Sequence, residues 1–115
     1  MIKALFQTVD NKDAPAFAGF LTEDCVFKFG NMPDVCGREA IQSFVAGFFE
    51  SIKSLSHSVE GSWQVDDQQI CRGEVTYTRQ DQSHLTVPFA VILKMQGDLI
   101  SHYQIYADTS TLYTA

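Results

Sequence analysis

Few side chains in this sequence have the type and spacing to move protons. Arg72-Gly73-Glu74 sets a cation and a carboxylate two residues apart. On a β-strand that spacing brings both to one face, because successive side chains point to opposite sides. If that face is internal, Glu74 is a candidate general base oriented by Arg72. If it is external, the two form a surface ion pair worth less than about 1 kcal/mol. His102 and Gln104 share a strand face by the same rule. Imidazole has the ordinary pKa best matched to acid–base work near neutral pH, which makes His102 the leading proton carrier, although a lone strand histidine is more often a structural residue. His57 lies in an alternation shared with Val59 and Trp63 and reads as a hydrogen-bonded core position. His84 sits beside a turn and is expected in solvent.

Other chemistries lack their residues. Cys25, Cys36 and Cys71 match no zinc spacing and read as small hydrophobes in a reducing compartment. No His/Cys/Asp cluster has metal-ligand spacing and no glycine-rich phosphate loop occurs, so neither a metal nor a cofactor is expected. Eight basic and fourteen acidic residues give a net charge of −6. That argues against a nucleic-acid partner, whose phosphates need a cationic patch. The longest apolar run, Val87 to Leu93, is seven residues, against the ~20 needed to span a bilayer. The first residues turn polar at Gln7, without the apolar stretch of a secretory leader. The expectation is a cytoplasmic protein with no membrane partner.

The elements that must position these residues are legible from periodicity. Leu, Ile, Val and Phe make up 32 of 115 residues, enough for a packed core in one domain spanning 1–115. Ile2, Leu5, Phe6 and Val9 fall on one face of a first helix. Asp13 can cap a second, short helix that tolerates Pro15 in its first turn. Cys25 to Phe29 alternates as a strand, and Gly30 to Gly37 reads as a loop. From Arg38 to about Lys53, Ile41, Phe44, Val45, Phe48, Phe49 and Ile52 follow a helical series that no strand template produces. Phe48, central in that stripe, is expected deep between helix and sheet. After Ser54 the period becomes two: His57, Val59, Gly61, Trp63 and Val65 alternate with polar residues. Strands from Ile70 to Arg79, Leu85 to Met95 and Leu99 to about Tyr106, joined by short turns, form an antiparallel meander. Helices first and long antiparallel strands after them indicate an α+β fold in which a curved sheet wraps the long helix and leaves a pocket at its open end.

That order of elements resembles the nuclear transport factor 2-like superfamily, a cone-like roll. The segments Phe20-Leu21-Thr22-Glu23-Asp24-Cys25-Val26-Phe27, Gly37-Arg38-Glu39-Ala40-Ile41 and Gly97-Asp98-Leu99-Ile100 through Tyr106-Ala107-Asp108 resemble its SnoaL-like members. The superfamily includes ketosteroid isomerases, polyketide cyclases, a limonene epoxide hydrolase and non-enzymatic binding domains, so the resemblance alone fixes no activity. Matching to the isomerases puts Leu5, Phe29 and Phe89 at their Tyr, base and second Asp. None of the three can transfer a proton or donate a side-chain hydrogen bond, which argues against that mechanism. The epoxide hydrolase pattern Arg-x-Asp fits Arg72-Gly73-Glu74, but its second Asp falls on Gln104, whose amide cannot supply an acid proton. The same matching implies that His102, Gln104 and Tyr106 face the concave side.

On this reading Phe29, Phe44, Phe48, His57, Trp63, Phe89, Gln104 and Tyr106 would line a pocket for a small, largely apolar organic molecule. Arg72, Glu74 and His102 would be its catalytic candidates, sharing one cavity with Gln104. The function implied is an isomerase, cyclase or hydrolase working by proton transfer or water addition. The alternative is a non-catalytic ligand-binding or association domain of the same fold. Ala90 and Ile92 should point outward beside Val75, Tyr77, Tyr103 and Ile105, an apolar face suited to a homodimer.

Overall fold

The computed structural model describes residues 1–113. Helix α1 (Ile2–Asp10) buries Leu5 and Phe6 from its apolar stripe. Asp13 caps α2 (Ala14–Ala18), its carboxylate accepting from the Ala16 amide at 3.1 Å. Strand β1 (Leu21–Phe29) starts four residues earlier than alternation indicates, and β2 (Val35–Cys36) is a short edge within the expected loop. Helix α3 (Arg38–Ser51) is followed by β3 (Ser54–Val65), β4 (Gln68–Thr78), β5 (His84–Gln96) and β6 (Leu99–Ala107).

The six strands form one curved sheet in the order β2-β1-β6-β5-β4-β3. The last four are the expected meander, and β1 joins β6 in parallel. Helix α3 lies on the concave face, burying Ile41, Val45 and Phe49. Phe48 is only half-buried, so the expectation of its depth is corrected: Phe49, one residue on, points into the core. The C-terminal end of α3 is tied to the α1–α2 turn, where the Lys12 ammonium donates to the carbonyls of Ile52 and Lys53, each at 3.0 Å. Among the described residues no helix is long and apolar enough to cross a membrane.

Two strands change face in mid-course. In β3, Val59 pairs with Gly73 and Gly61 with Arg72, leaving Glu60 as an extra residue. A bulge of one residue turns every later side chain over. His57 and Val59 are therefore on the inner side, whereas Gly61, Trp63 and Val65 are on the outer side. Gly73 makes the bulge possible: a Cβ there would lie 1.9 Å from the Ser58 carbonyl oxygen. In β6, Met95 pairs with Ile100 but Lys94 pairs with His102, which leaves Ser101 as the extra residue. Ile100, Tyr103 and Ile105 consequently face inward, and His102, Gln104 and Tyr106 face outward. Strand β5 alternates without a break through Val87, Phe89, Val91 and Leu93 on the inner side.

Candidate active site

The concave face encloses a cavity between α1, α3 and the sheet, with a free volume of about 50 Å³. Phenylalanine is the commonest residue of its walls, at eight of eighteen positions. Phe29, Phe44, Phe48, His57 and Phe89, five of the residues expected at a pocket, line it. Phe29, Phe44 and Phe48 stand at its mouth, shared with an outer vestibule of about 310 Å³ that also includes Met32, Thr109 and Tyr113.

His57 is the ionisable group of this cavity whose ordinary pKa lies near neutrality. Its Nδ1 lies 2.6 Å from Asp10 Oδ1, and its backbone N–H donates to Asp10 Oδ2 at 3.0 Å. A carboxylate only accepts, so this contact places a proton on Nδ1 and leaves the lone pair of neutral imidazole on Nε2. The ring is held flat against Phe6, with centroids 4.7 Å apart and an interplanar angle of 3°, and Phe89 meets it edge-on at 5.1 Å. The imidazole is thus fixed in tautomer and in orientation, with its side chain 11% exposed. That is what a general base in a water-poor pocket requires.

Two phenols complete the polar lining. Burial pushes Tyr77 up to about 12, with Tyr113 adding to the effect. Burial pushes Tyr103 up further, reinforced by Cys71 and Cys25. Both stay neutral at physiological pH and offer hydroxyl donors. Cys25 and Cys71 are themselves buried thiols pushed up to about 11 by desolvation, and are unreactive by that measure.

The other expected site residues are elsewhere. Arg72 and Glu74 face outward, and Arg72 Nη1 bonds Glu60 Oε1, the bulge residue, at 3.2 Å. His102 is exposed, Gln104 is half-buried on the outer side and Tyr106 is 49% exposed. Trp63, 50% exposed, folds its ring back over Gly61 beyond the β3 bulge. The shared cavity of Glu74, His102 and Gln104 is therefore corrected. Trp63 is displaced by the extra residue in β3, and His102, Gln104 and Tyr106 by the one in β6. Arg72 and Glu74 instead lie on β4, which pairs with β5 without a break and alternates with Cys71, Gly73, Val75 and Tyr77 on the buried side. The outer face also loses Val75, Tyr77, Tyr103 and Ile105, which point into the cavity.

Periodicity alone passed over Asp10 and set the two tyrosines on the outer face. For Asp10 a local signal existed. It is the last residue of α1, where the partial negative charge of the helix end disfavours a carboxylate. An acid placed against that preference has a partner elsewhere, here 47 residues away in sequence. Among the described residues no three His, Cys, Asp or Glu side chains are grouped to hold a metal ion.

The sequence matches a family model, the SnoaL-like domain, over residues 2–103. The chain belongs to the SnoaL-like family. No curated protein matches this SnoaL-like chain. Among solved structures it is similar to an NTF2-like protein of unknown function from Burkholderia pseudomallei, with 12% identity, a TM-score of 0.88, and 99% and 95% of the two chains covered. A protein of ketosteroid isomerase-like fold from Catenulispora acidiphila, solved with trimethylamine, gives 17% identity, a TM-score of 0.84 and coverage of 91% and 82%. A candidate SnoaL-like polyketide cyclase from Jannaschia sp. gives 16% identity, a TM-score of 0.81 and coverage of 99% and 89%. At such identities the likeness establishes the fold, and activity must be argued from the site. Of the positions matched to isomerase catalysts, Phe29 and Phe89 line the cavity of this SnoaL-like domain as apolar walls, and Leu5 is fully buried.

Proposed function

We propose that this SnoaL-like domain binds a small, largely apolar organic molecule in the aromatic cavity, and that His57, oriented by Asp10, exchanges a proton with it. The observation that carries the reading is the 2.6 Å contact that saturates Nδ1 in a residue lining the cavity. Nε2 is then the basic atom left on the ring. Tyr77 and Tyr103, neutral donors on other walls, suit the oxygen on which negative charge develops when a carbon acid is deprotonated. The reaction class this supports is isomerisation or cyclisation by proton transfer. Water addition has weaker support, since Arg72 and Glu74 are outside the cavity. The second reading, a binding domain without catalysis, draws on the largely apolar walls. We also propose a second copy of the chain as partner, docked on the outer sheet face.

Hydrogen–deuterium exchange of butanone and acetophenone in D2O, followed by proton NMR, separates the two readings. The expected result is exchange catalysed by the wild type and slowed by about 100-fold or more in His57→Asn and Asp10→Asn variants of unchanged fold. Equal rates for wild type and His57→Asn overturn the catalytic role. Saturable ketone binding without exchange favours the binding domain.

A further inference from the structure

Given the proposed ligand site, the charge pattern of this cavity and its approaches narrows the ligand. Among the described residues no Lys or Arg lines the cavity, the vestibule, or the adjoining basin of about 350 Å³ formed with Gly30, Asn31 and residues 107–110. The carboxylates are placed the other way: Asp10 behind His57, and Asp108 in the basin wall. Arg79, beneath the C-terminal segment, spends its guanidinium on the carbonyls of Leu112, Thr111 and His84 and on the Ser83 hydroxyl. An anionic ligand would therefore enter with no counter-charge, which is costly in an apolar interior.

A compact cation meets the opposite conditions. Rings from α1, α3 and the sheet surround the space, and the negative faces of aromatic rings attract alkylated ammonium groups. Asp10 is a formal negative charge one imidazole away. The volume also suits a small head group. A water needs ~10–15 Å³ of such space, so about 50 Å³ holds roughly four groups of that size. We infer that the cavity takes a compact alkylammonium head group, ring-lined and facing His57 with Asp10 as its counter-charge, while the rest of the ligand extends through the Phe29, Phe44 and Phe48 mouth into the vestibule.

Three probes of five non-hydrogen atoms each vary charge at nearly constant size: tetramethylammonium, tert-butanol and propionate. Each is titrated into the full chain at pH 8, where an ordinary imidazole is neutral, and the amide shifts of His57, Phe89 and Val91 are followed by NMR. The expected order is tetramethylammonium at least ten-fold tighter than tert-butanol, with propionate weakest. Asp10→Asn should remove that ten-fold preference, bringing tetramethylammonium to within about two-fold of tert-butanol measured on the same variant. Tightest binding by tert-butanol or propionate at these amides overturns the ammonium assignment and leaves the cavity a ligand site. Shifts with none of the three overturn the cavity reading itself, and the assignment with it.

Discussion

The two faces of the sheet carry different kinds of residue. On the concave face the walls are apolar, and the histidine–carboxylate contact stands at the edge of that lining. The convex face carries Arg72, Glu74, His102 and Gln104, the residues whose strand spacing suggested chemistry. For β3 and β6 the line between the two is set at Glu60 and Ser101, one extra residue in each strand, while in β4 the buried Cys71, Gly73, Val75 and Tyr77 leave Arg72 and Glu74 the outer side. Strand β5 makes the contrast plain, since Phe89 falls where simple alternation puts it. Period-two spacing tells which residues share a face. It does not tell which face once a bulge intervenes, because a one-residue slip exchanges both sets together.

The largest expected loss of stability lies in the helix that closes the concave side. Phe49 is 4% exposed while Phe48 is half-buried at the cavity mouth. Phe49→Ala should lower unfolding free energy by about 3–5 kcal/mol, and Phe48→Ala by less than half of that. Urea melts of the two variants decide the matter. An equal or larger loss at Phe48 means that α3 is rotated about its axis from the packing described.

The next effect tests the bulge. A methyl group at residue 73 would meet the Ser58 carbonyl oxygen at 1.9 Å, and backbone cannot rotate away as a side chain can. Gly73→Ala should cost about 1–3 kcal/mol or more by overpacking, read in the same urea melts. An unchanged midpoint would show that close approach at Gly73 does not hold β3 and β4 in this register.

Much of the fold was legible because long, regular runs specify it. The α3 stripe, the Asp13 cap and the Gln96-Gly97-Asp98 turn, with Gly97 at φ 64°, lie where local chemistry puts them. The site was legible only in part. Phe44, Phe48, His57 and Phe89 stand on elements whose phase is unbroken up to those residues, and Phe29 ends the regular stretch of β1 from Cys25, beyond that strand's own irregularity. Trp63, Gln104 and Tyr106 lie beyond a bulge, and the bulge at Glu60 depends on a glycine of the neighbouring strand, Gly73. Asp10 was legible only as an acid set against the helix end: its partner is on β3, and no local pattern names which residue 47 positions away that is.

The smallest effect on folding, and the most informative for the outer face, concerns Ile92. Cross-strand pairing aligns Trp63, Ile70, Ile92, Gln104 and Lys28 in one row over five strands, with Ile92 at its centre. Two-fold pairing of such rows sets each Ile92 near its counterpart and brings the exposed Trp63 of each copy over the other copy's sheet. A charge at the centre of that contact would meet its own image in an apolar setting, at a cost that a lone surface charge escapes. Sedimentation equilibrium should give twice the 12.9 kDa chain mass for the wild type and 12.9 kDa for Ile92→Glu. Stability measured on the monomeric species should change by no more than about 0.5 kcal/mol. Arg72→Ala and Glu74→Gln, off that row, should change neither mass nor ketone exchange. A 12.9 kDa wild type at micromolar concentration, or an Ile92→Glu variant that still pairs, removes the second copy from this face.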